Sequence, residues 1–474
     1  MPTEPTHAVE DDSPGAQIAR LLTRVDALLA HNAEQTEQIR LLIARIAELE
    51  ATLAANAPPK PPPKTPANSS LPPSSAHKPN SPEPPAAKKR RRGHKGVARA
   101  LCPDPTHVRN IYAQACACGA HVAPEDQVAA HTYDHVELPP IKPVITRVVL
   151  HDGCCAGCGK RVAAKPPADM APGSPFGPRL TGMVTYLHAV QMVSYSRLTT
   201  MLREVFHTTV SQGALASMMR RAGSAVAPVA DALEDLVRQS PSIASDETSA
   251  RVGGKTWWLW NFSTARAVYQ VIAPTRGKCV PTAFLRGMVP EVWLSDRLAA
   301  QTGHGLLHQA CLAHLLREAQ YAIDHGDSIF AVAFKRFLRI ACWLGARRSR
   351  MSDTQLAHWQ GVLERERDRV LALPCAAAAG VKLRASVAVG AREKLLVFMS
   401  RRDVEPTNNA SERNLRPGVI FRKVTGCFRS DWGPKLYGAI RSIVATGRLA
   451  GRGPLESITR ALEGLLPTAE PAPA

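Results

Sequence analysis

Asp246, Asp296 and Glu412 each stand where a carboxylate could be delivered to a shared metal ion. Asp246 ends the apolar run in Ile243-Ala244-Ser245-Asp246-Glu247-Thr248, and Asp296 ends Val292-Trp293-Leu294-Ser295-Asp296. Glu412 lies in Asn408-Asn409-Ala410-Ser411-Glu412-Arg413-Asn414-Leu415-Arg416-Pro417, which has the form of a capped helix start with Asn408 or Asn409 as the cap. Three carboxylates from distant segments make an oxygen-rich site for Mg²⁺ (or Mn²⁺), a hard ion that retains several waters. Two such ions about 3.5–4 Å apart can clamp the attacking and leaving oxygens of a phosphodiester displacement. The chemistry to expect is the cutting and joining of DNA.

The surrounding pattern predicts the elements that would carry these groups. From residue 241 the chain is strand-rich. Thr256 to Phe262, with Trp257, Trp258 and Trp260, suits a strand covered on both faces, and Gly253-Gly254 before it suits a hairpin turn. Val268 to Ala273 gives a third strand, Pro281 to Gly287 a short helix, and Val292 to Ser295 a fourth strand. Three strands, a helix and a fourth strand, with Asp on the first and fourth, is the order of a ribonuclease-H-like fold. The span from Asp296 to Glu412 is far longer than one strand and one helix need. Its middle, about 325–400, reads as a helical insertion whose apolar face is Phe334, Phe337, Leu338, Ile340, Trp343 and Leu344. His308, Cys311 and His314 would sweep around a helix axis, so packing or hydrogen bonding is expected of them instead of a shared metal. Glu247, next to Asp246, is a decoy: neighbouring strand residues face opposite ways.

At 474 residues the chain is long enough for several domains, and its net charge of +19 with a pI near 9.8 calls for a polyanionic partner. A DNA backbone and an anionic membrane surface both satisfy that. No apolar run is long enough to span a bilayer, and Glu4, Glu10, Asp11 and Asp12 are unlike a signal peptide. Eleven cysteines in so large a chain suggest reduced thiols and metal ligands, hence a cytoplasmic setting.

Within 14–55, Ile18, Leu21, Val25, Leu28, Asn32, Gln35, Ile39, Leu42, Ile46, Leu49 and Leu53 keep an unbroken alternation of four and three. This predicts a coiled-coil dimerisation helix with Asn32 as a register-fixing polar residue. Residues 56–100 form a proline-rich linker ending in the basic run Lys88, Lys89, Arg90, Arg91 and Arg92, either a phosphate-binding arm or a solvated tail. In 101–165, Cys155-x2-Cys158 has the spacing of a zinc-ribbon knuckle, and Cys116-x-Cys118 is one residue short of its usual partner. The segment is read as zinc-ribbon-like and DNA-binding, with a structural Zn²⁺ on those four cysteines; the alternative is a set of small buried thiols. Residues 175–240 are helical. Leu198 to Phe206 and Gln212 to Arg221, with Ser211 as an N-cap, form either a helix-turn-helix or a plain helical hairpin. The catalytic core spans 241–430 and a C-terminal segment follows at 431–474. The fold class is multidomain α+β.

The chain resembles transposases of the insertion-sequence 66 family. The matching stretches are Ser245-Asp246-Glu247-Thr248, Ser295-Asp296 with Gln301 and Gly303-His304, Cys311-Leu312-Ala313-His314-Leu315-Leu316-Arg317-Glu318, Asn408-Asn409 with Glu412-Arg413 and Leu415-Arg416-Pro417, Arg422-Lys423-Val424-Thr425-Gly426, and Ser430-Asp431-Trp432-Gly433. The resemblance implies that Asp246, Asp296 and Glu412 form an acidic triad ligating Mg²⁺ for cleavage at element ends and strand transfer into target DNA. It places Arg413, Arg416, Arg422 and Lys423 near DNA phosphates, although a solvated helix face would carry the same residues. It also implies accessory proteins of the same element as partners. The tight Cys116-x-Cys118 pair and Arg297 depart from the family's usual pattern. Two rival functions fit the same residues: a DNA-binding regulator with an inactive core, and a host nuclease of the same fold.

Overall fold

The structure, a computed structural model, describes residues 14–56, 64–65, 68, 96, 99–170 and 173–468. The basic run at 88–92 and most of the proline-rich linker lie outside the described residues. The chain divides into two compact units, one within 1–63 and one within 64–474. In the first, the heptad segment folds as a single helix, α1 (Pro14–Asn56). Its seam residues Leu21, Val25, Leu28, Ile39, Leu42, Ile46 and Leu49 are exposed, as are Asn32 and Gln35. Arg40 pairs with Glu37 at 2.6 Å and Arg45 with Glu48 at 2.5 Å along its length.

The second unit opens with a cysteine-bearing stretch of little regular structure. A short hairpin, β1 (Asp152–Cys154) with β2 (Arg161–Ala163), is closed by the turn that holds Cys155 and Cys158. Cys116, Cys118, Cys154, Cys155 and Cys158 are all exposed, so they are not a set of buried thiols.

The centre of the unit is a five-stranded sheet in the order β5-β4-β3-β6-β7. Its strands are β3 (Ser242–Val252), β4 (Lys255–Ser263), β5 (Val268–Ala273), β6 (Val292–Ser295) and β7 (Leu307–Ala310). The first three form an antiparallel meander; β6 then runs parallel to β3, and β7 parallel to β6. Gly253 and Gly254 make the β3–β4 turn with φ of 55° and 77°. Positive φ at both central residues is what a two-residue turn matching strand twist requires, and glycine adopts it without penalty. Phe262 stacks on Phe284 of α5 (Cys279–Leu285) with centroids 4.0 Å apart, and Trp260 and Trp293 complete this aromatic layer.

Helices α2 (Pro178–Ala189), α3 (Tyr195–Glu204) and α4 (Gln212–Arg238) precede the sheet in sequence and share one apolar core with it. Ser211 caps α4 by accepting from the Ala214 amide at 3.1 Å. The helix runs through Pro228 and ends well beyond Arg221. Leu215, Met218, Ala222, Val226, Val229, Leu233 and Val237 keep helical spacing and are buried, which offsets the bond lost at proline. Arg221 donates to Ser174 Oγ, and Arg220 lies over the Trp432 ring.

Helix α12 (Trp432–Leu449) closes the β5 edge of the sheet, and α13 (Pro454–Leu462) packs on α12 and α2. Ser442 and Thr446, one helical turn apart, accept the outward amides of Gln270 (2.8 Å) and Val268 (2.9 Å). An exposed strand edge is thereby satisfied by side chains of a covering helix. Gly438, one turn earlier, lets α12 approach: a Cβ there would stand 2.7 Å from the Gln270 carbonyl oxygen.

The span between the second and third candidate carboxylates builds a second apolar core from α6 (Leu312–Asp324), α7 (Phe330–Gly345), α8 (Asp353–Leu371), α9 (Ala378–Gly390) and α10 (Val397–Ser400). The chain returns to the sheet in α11 (Asn409–Thr425).

A Cβ at Gly438 meets backbone, which cannot rotate aside, so overpacking outweighs the gain in helix propensity. Gly438→Ala is expected to destabilise the protein by about 1–3 kcal/mol. Gly223→Ala on α4, whose Cβ would lie 3.6 Å from Leu436 Cδ1, is expected to be neutral or stabilising by up to about 1 kcal/mol. Urea unfolding followed by tryptophan fluorescence distinguishes the two; equal effects would refute the close approach.

Candidate active site

Parallel pairing of β3 with β6 puts Ala244 opposite Leu294. Continuing that register by two residues sets Asp246 beside Asp296, on neighbouring strands roughly 4.8 Å apart. Asp296 follows the last residue of β6 directly, whereas Asp246 lies inside β3, because pairing with β4 carries that strand on to Val252. Each aspartate is oriented by its own backbone. Asp246 Oδ1 accepts the Glu247 amide at 2.9 Å, and Asp296 Oδ1 accepts the Leu298 amide at 3.0 Å.

Glu412 is brought to this edge by a chain of buried polar contacts. Ser411 Oγ lies 3.1 Å from Ser263 Oγ, and Ser263 pairs with Ala244, two residues before Asp246. Gln270 donates from Nε2 both to Asn261 Oδ1 (3.0 Å) and to the Asn414 carbonyl (3.1 Å), tying α11 to β4 and β5. Asn408 does not cap α11 with its side chain. Its Nδ2 donates instead to the Ser245 carbonyl at 2.7 Å, next to Asp246. The Asn408 amide meets Cys311 Sγ at 3.1 Å, which joins the start of α11 to the start of α6. Burial pushes the Cys311 thiol up to about 11, so it is neutral at this junction.

The carboxylates feel one another. Burial, and then the negative charges of Glu247, Asp296 and Glu412, hold the Asp246 carboxyl well above its ordinary value. Glu247 is committed elsewhere. It is buried on the opposite face of β3, pairs with Arg276 at 2.7 Å and accepts from Gln301 Nε2 at 2.6 Å. Gln301 in turn accepts from Trp293 Nε1 at 3.2 Å, so the Gln301-x-Gly303-His304 segment braces the back of the sheet. Arg297 pairs with Glu318 and donates to Ser386 Oγ.

His308, Cys311 and His314 do not share a helix: His308 is on β7, Cys311 is the N-cap of α6, and only His314 lies within α6. His308 Nε2 sits 3.2 Å from Ser295 Oγ. His314 Nε2 lies 4.0 Å from Glu412 Oε1, and burial, followed by the charge of Arg317, keeps its imidazole below the ordinary value and neutral. Arg317 Nη2 donates to Glu412 Oε1 at 2.9 Å. Neither residue stood out as part of the site in the sequence. The signal available was Cys311-x-x-His314-x-x-Arg317, whose spacing sets His314 and Arg317 close together on one helix.

Among the described residues, no group of three or more His, Cys, Asp or Glu side chains stands close enough together to hold a metal ion. One oxygen of Glu412 is taken by Arg317. The donor chemistry nonetheless fits a hard divalent cation, since Asp246 and Asp296 crowd negative charge in a partly buried place. The cysteines remain two separate turns. Cys116 and Cys155 are each held below the ordinary thiol value, first by backbone hydrogen bonds and then by Cys118 and Cys158 respectively. Of the basic residues after Glu412, Arg413, Arg416 and Lys423 are exposed, and Arg416 and Lys423 fall on the helix stripe of Glu412. Arg422 instead donates to the Ser249 carbonyl and hydroxyl and so ties α11 to β3.

Because the folded chain raises the Asp246 carboxyl, it holds that proton more tightly than the unfolded chain does. This group therefore favours folding below its ordinary value of 3.8, and the contribution is lost as pH rises through the raised folded value. Asp246→Asn is expected to raise the unfolding midpoint in metal-free buffer at pH 7.5 by about 2–4 °C. Mg²⁺ should stabilise the wild type and not the variant. A lower midpoint for the variant would show that Asp246 carries no excess charge strain.

No helix among the described residues is long and apolar enough to cross a membrane. Comparison with curated proteins gave no match. The family model described as Transposase IS66 family matches residues 173–436, which takes in α2 to α11, the whole sheet and all three carboxylates. The chain belongs to the IS66 family of transposases.

Proposed function

We propose that this protein is a DNA transposase that cuts at the ends of its element and joins them to target DNA, using Asp246, Asp296 and Glu412 as the ligands of Mg²⁺ or Mn²⁺. The observation that carries the reading is the parallel pairing of β3 with β6 through Ala244 and Leu294, which continued by two residues would set Asp246 beside Asp296, with Glu412 next to Ser411, which meets Ser263 on the adjoining strand. A sheet of order β5-β4-β3-β6-β7, antiparallel then parallel, supports a ribonuclease-H-like core. When bound, the metal would activate an attacking water or 3′ hydroxyl and stabilise the departing 3′ oxygen. The chain's own part is positional. The Glu247 and Leu298 amides fix the two aspartates, Asn408 and Ser411 fix the start of α11, and Glu412 is freed for ligation when Arg317 moves off it. Arg413, Arg416 and Lys423, exposed on α11, are placed to meet phosphates beside the cut. The exposed seam of α1 would pair with a second copy, as synapsis of two ends requires. The cytoplasmic setting, a contact of the basic run at 88–92 with DNA and a need for accessory proteins are part of the same reading.

Asp246→Asn, Asp296→Asn and Glu412→Gln should each cost cleavage of a labelled duplex carrying the element's ends about 4 kcal/mol, roughly a thousandfold in rate, with binding retained. Retained cutting in any one variant would remove that residue from the triad. Specific binding with no cutting by the wild type in Mg²⁺, even with the element's other products added, would favour the regulator.

For the cysteine segment we propose a structural Zn²⁺ held by Cys116, Cys118, Cys155 and Cys158, supported by two exposed cysteine turns whose lead thiols are readied for deprotonation. Cys155→Ser with Cys158→Ser should abolish bound zinc as read by atomic absorption; unchanged stoichiometry would refute it.

A further inference from the structure

The helical insertion carries a feature that the triad chemistry does not use. Arg336, Ile340 and Trp343 on α7, and Arg347 just past its end, recur every three or four residues and are exposed. The facing stretch of α8 presents Trp359, Arg365 and Arg369. Between the two helices lies a groove of about 500 Å³, floored by the buried Leu344 and Leu363 and walled by Ile340 and Trp359. Exposed tryptophan is costly to leave in water, and here it is set among arginines: Trp343 is 53 % exposed with the Arg347 guanidinium 4.0 Å from its ring centre. Glu366 is occupied by Arg369 at 2.6 Å. Arg336, Arg339 and Arg365 are in no ion pair among the described residues, although Arg336, after Arg369, helps hold the Glu366 carboxyl below its ordinary value. Lys335 is itself held below its ordinary value by burial and by Arg339.

We infer that this α7–α8 groove is a stacking platform for unpaired DNA, with a base on Trp359 and the flanking phosphates on Arg336 and Arg365. The inference rests on the DNA-cutting reading above and specifies which form of DNA this surface takes. An aromatic wall inside an arginine rim matches both halves of a nucleotide, the π-face of the base and the charge of the phosphate. A duplex offers only the phosphates, because its bases are already stacked. The placement suits a cut strand. The buried face of α7 packs on α6, whose other residues include His314 and Arg317 beside Glu412, so α6 and α7 stand between the groove and the carboxylates. Two helix spacings of about 8–10 Å each are within the reach of a few nucleotides of free strand.

The test uses the full chain in EDTA, with fluorescein-labelled duplexes that are identical except for a short single-stranded tail. Wild type should bind the tailed duplex about tenfold more tightly than the blunt one, as the stacking of one base allows. Trp359→Ala should remove that preference while leaving blunt-duplex affinity and the unfolding midpoint unchanged, and Trp359→Phe should retain most of it. Arg336→Ala with Arg365→Ala should reduce the slope of log K against log salt for the tailed probe by about 1.4. Equal affinity of wild type for both probes, or a Trp359→Ala variant that keeps the preference, would overturn the inference while leaving the transposase reading intact. Failure to bind either probe would remove both. Displacement of neither probe by free oligonucleotide, with displacement by polyglutamate, would assign the groove to an acidic protein segment and overturn it as well.

Discussion

The parallel contact between β3 and β6 is the constraint on which the site depends. It is short, three residue pairs from Ser242–Val292 to Ala244–Leu294, yet it fixes where Asp246 and Asp296 come to rest. Two like charges about 5 Å apart repel by roughly 3 kcal/mol at an effective dielectric near 20, so no isolated pair of strands would choose this register. The aromatic layer of Trp260, Phe262, Phe284 and Trp293 on the other face chooses it for them. A one-residue slip would turn Trp293 to the carboxylate face and Asp296 into the core. Apolar packing on one side of the sheet is what holds negative charge together on the other.

The third carboxylate is placed by a different kind of force. α11 is tied to the sheet by hydrogen bonds: Asn408 and Arg422 donate to strand carbonyls, Ser411 Oγ meets Ser263 Oγ, and the Asn414 carbonyl accepts from Gln270. Such contacts are directional and costly to leave half made, so they set the rotation of the helix as well as its distance. That rotation leaves Glu412 where its charge helps raise the Asp246 carboxyl, and Leu415 and Phe421 are buried on the same helix. Cys311 belongs to the same scheme. It is buried in a junction that couples the start of the insertion to the start of α11, which explains a neutral thiol near the candidate carboxylates without giving it chemistry.

The strand elements were legible because period-two patterning, aromatic and β-branched enrichment and a Gly-Gly turn all agreed; Val268–Ala273 and Val292–Ser295 fall where the pattern puts them. Lone aspartates became a site only through pairing order, which residues supply indirectly. What was not legible depends on contacts distant in sequence. Asn408 is a natural cap by type, but a strand carbonyl offered it a buried partner. The helix starting at Gln212 was read as ending near Arg221, yet apolar spacing carries it through Pro228. The helices at 175–240 and those beyond 431 share one apolar core with the sheet, because α12 has a strand edge to cover and α4 packs on both. Arg317 was invisible for a related reason: a helical arginine in an amphipathic sequence is usually a solvated face.

Arg317 gives the charge arrangement its direction. Glu412 pairs with Arg317 at 2.9 Å, while burial and the neighbouring carboxylates hold the Asp246 carboxyl above its ordinary value. Both side chains of that pair are about a quarter exposed, so the contact is strong enough to hold Glu412 in place yet open enough to exchange partners. If the three carboxylates hold a divalent ion as proposed, ligation by Glu412 would require this pair to open. The guanidinium would then be available to a phosphate at the edge of the site, because an arginine fork that fits a carboxylate fits a phosphate equally well.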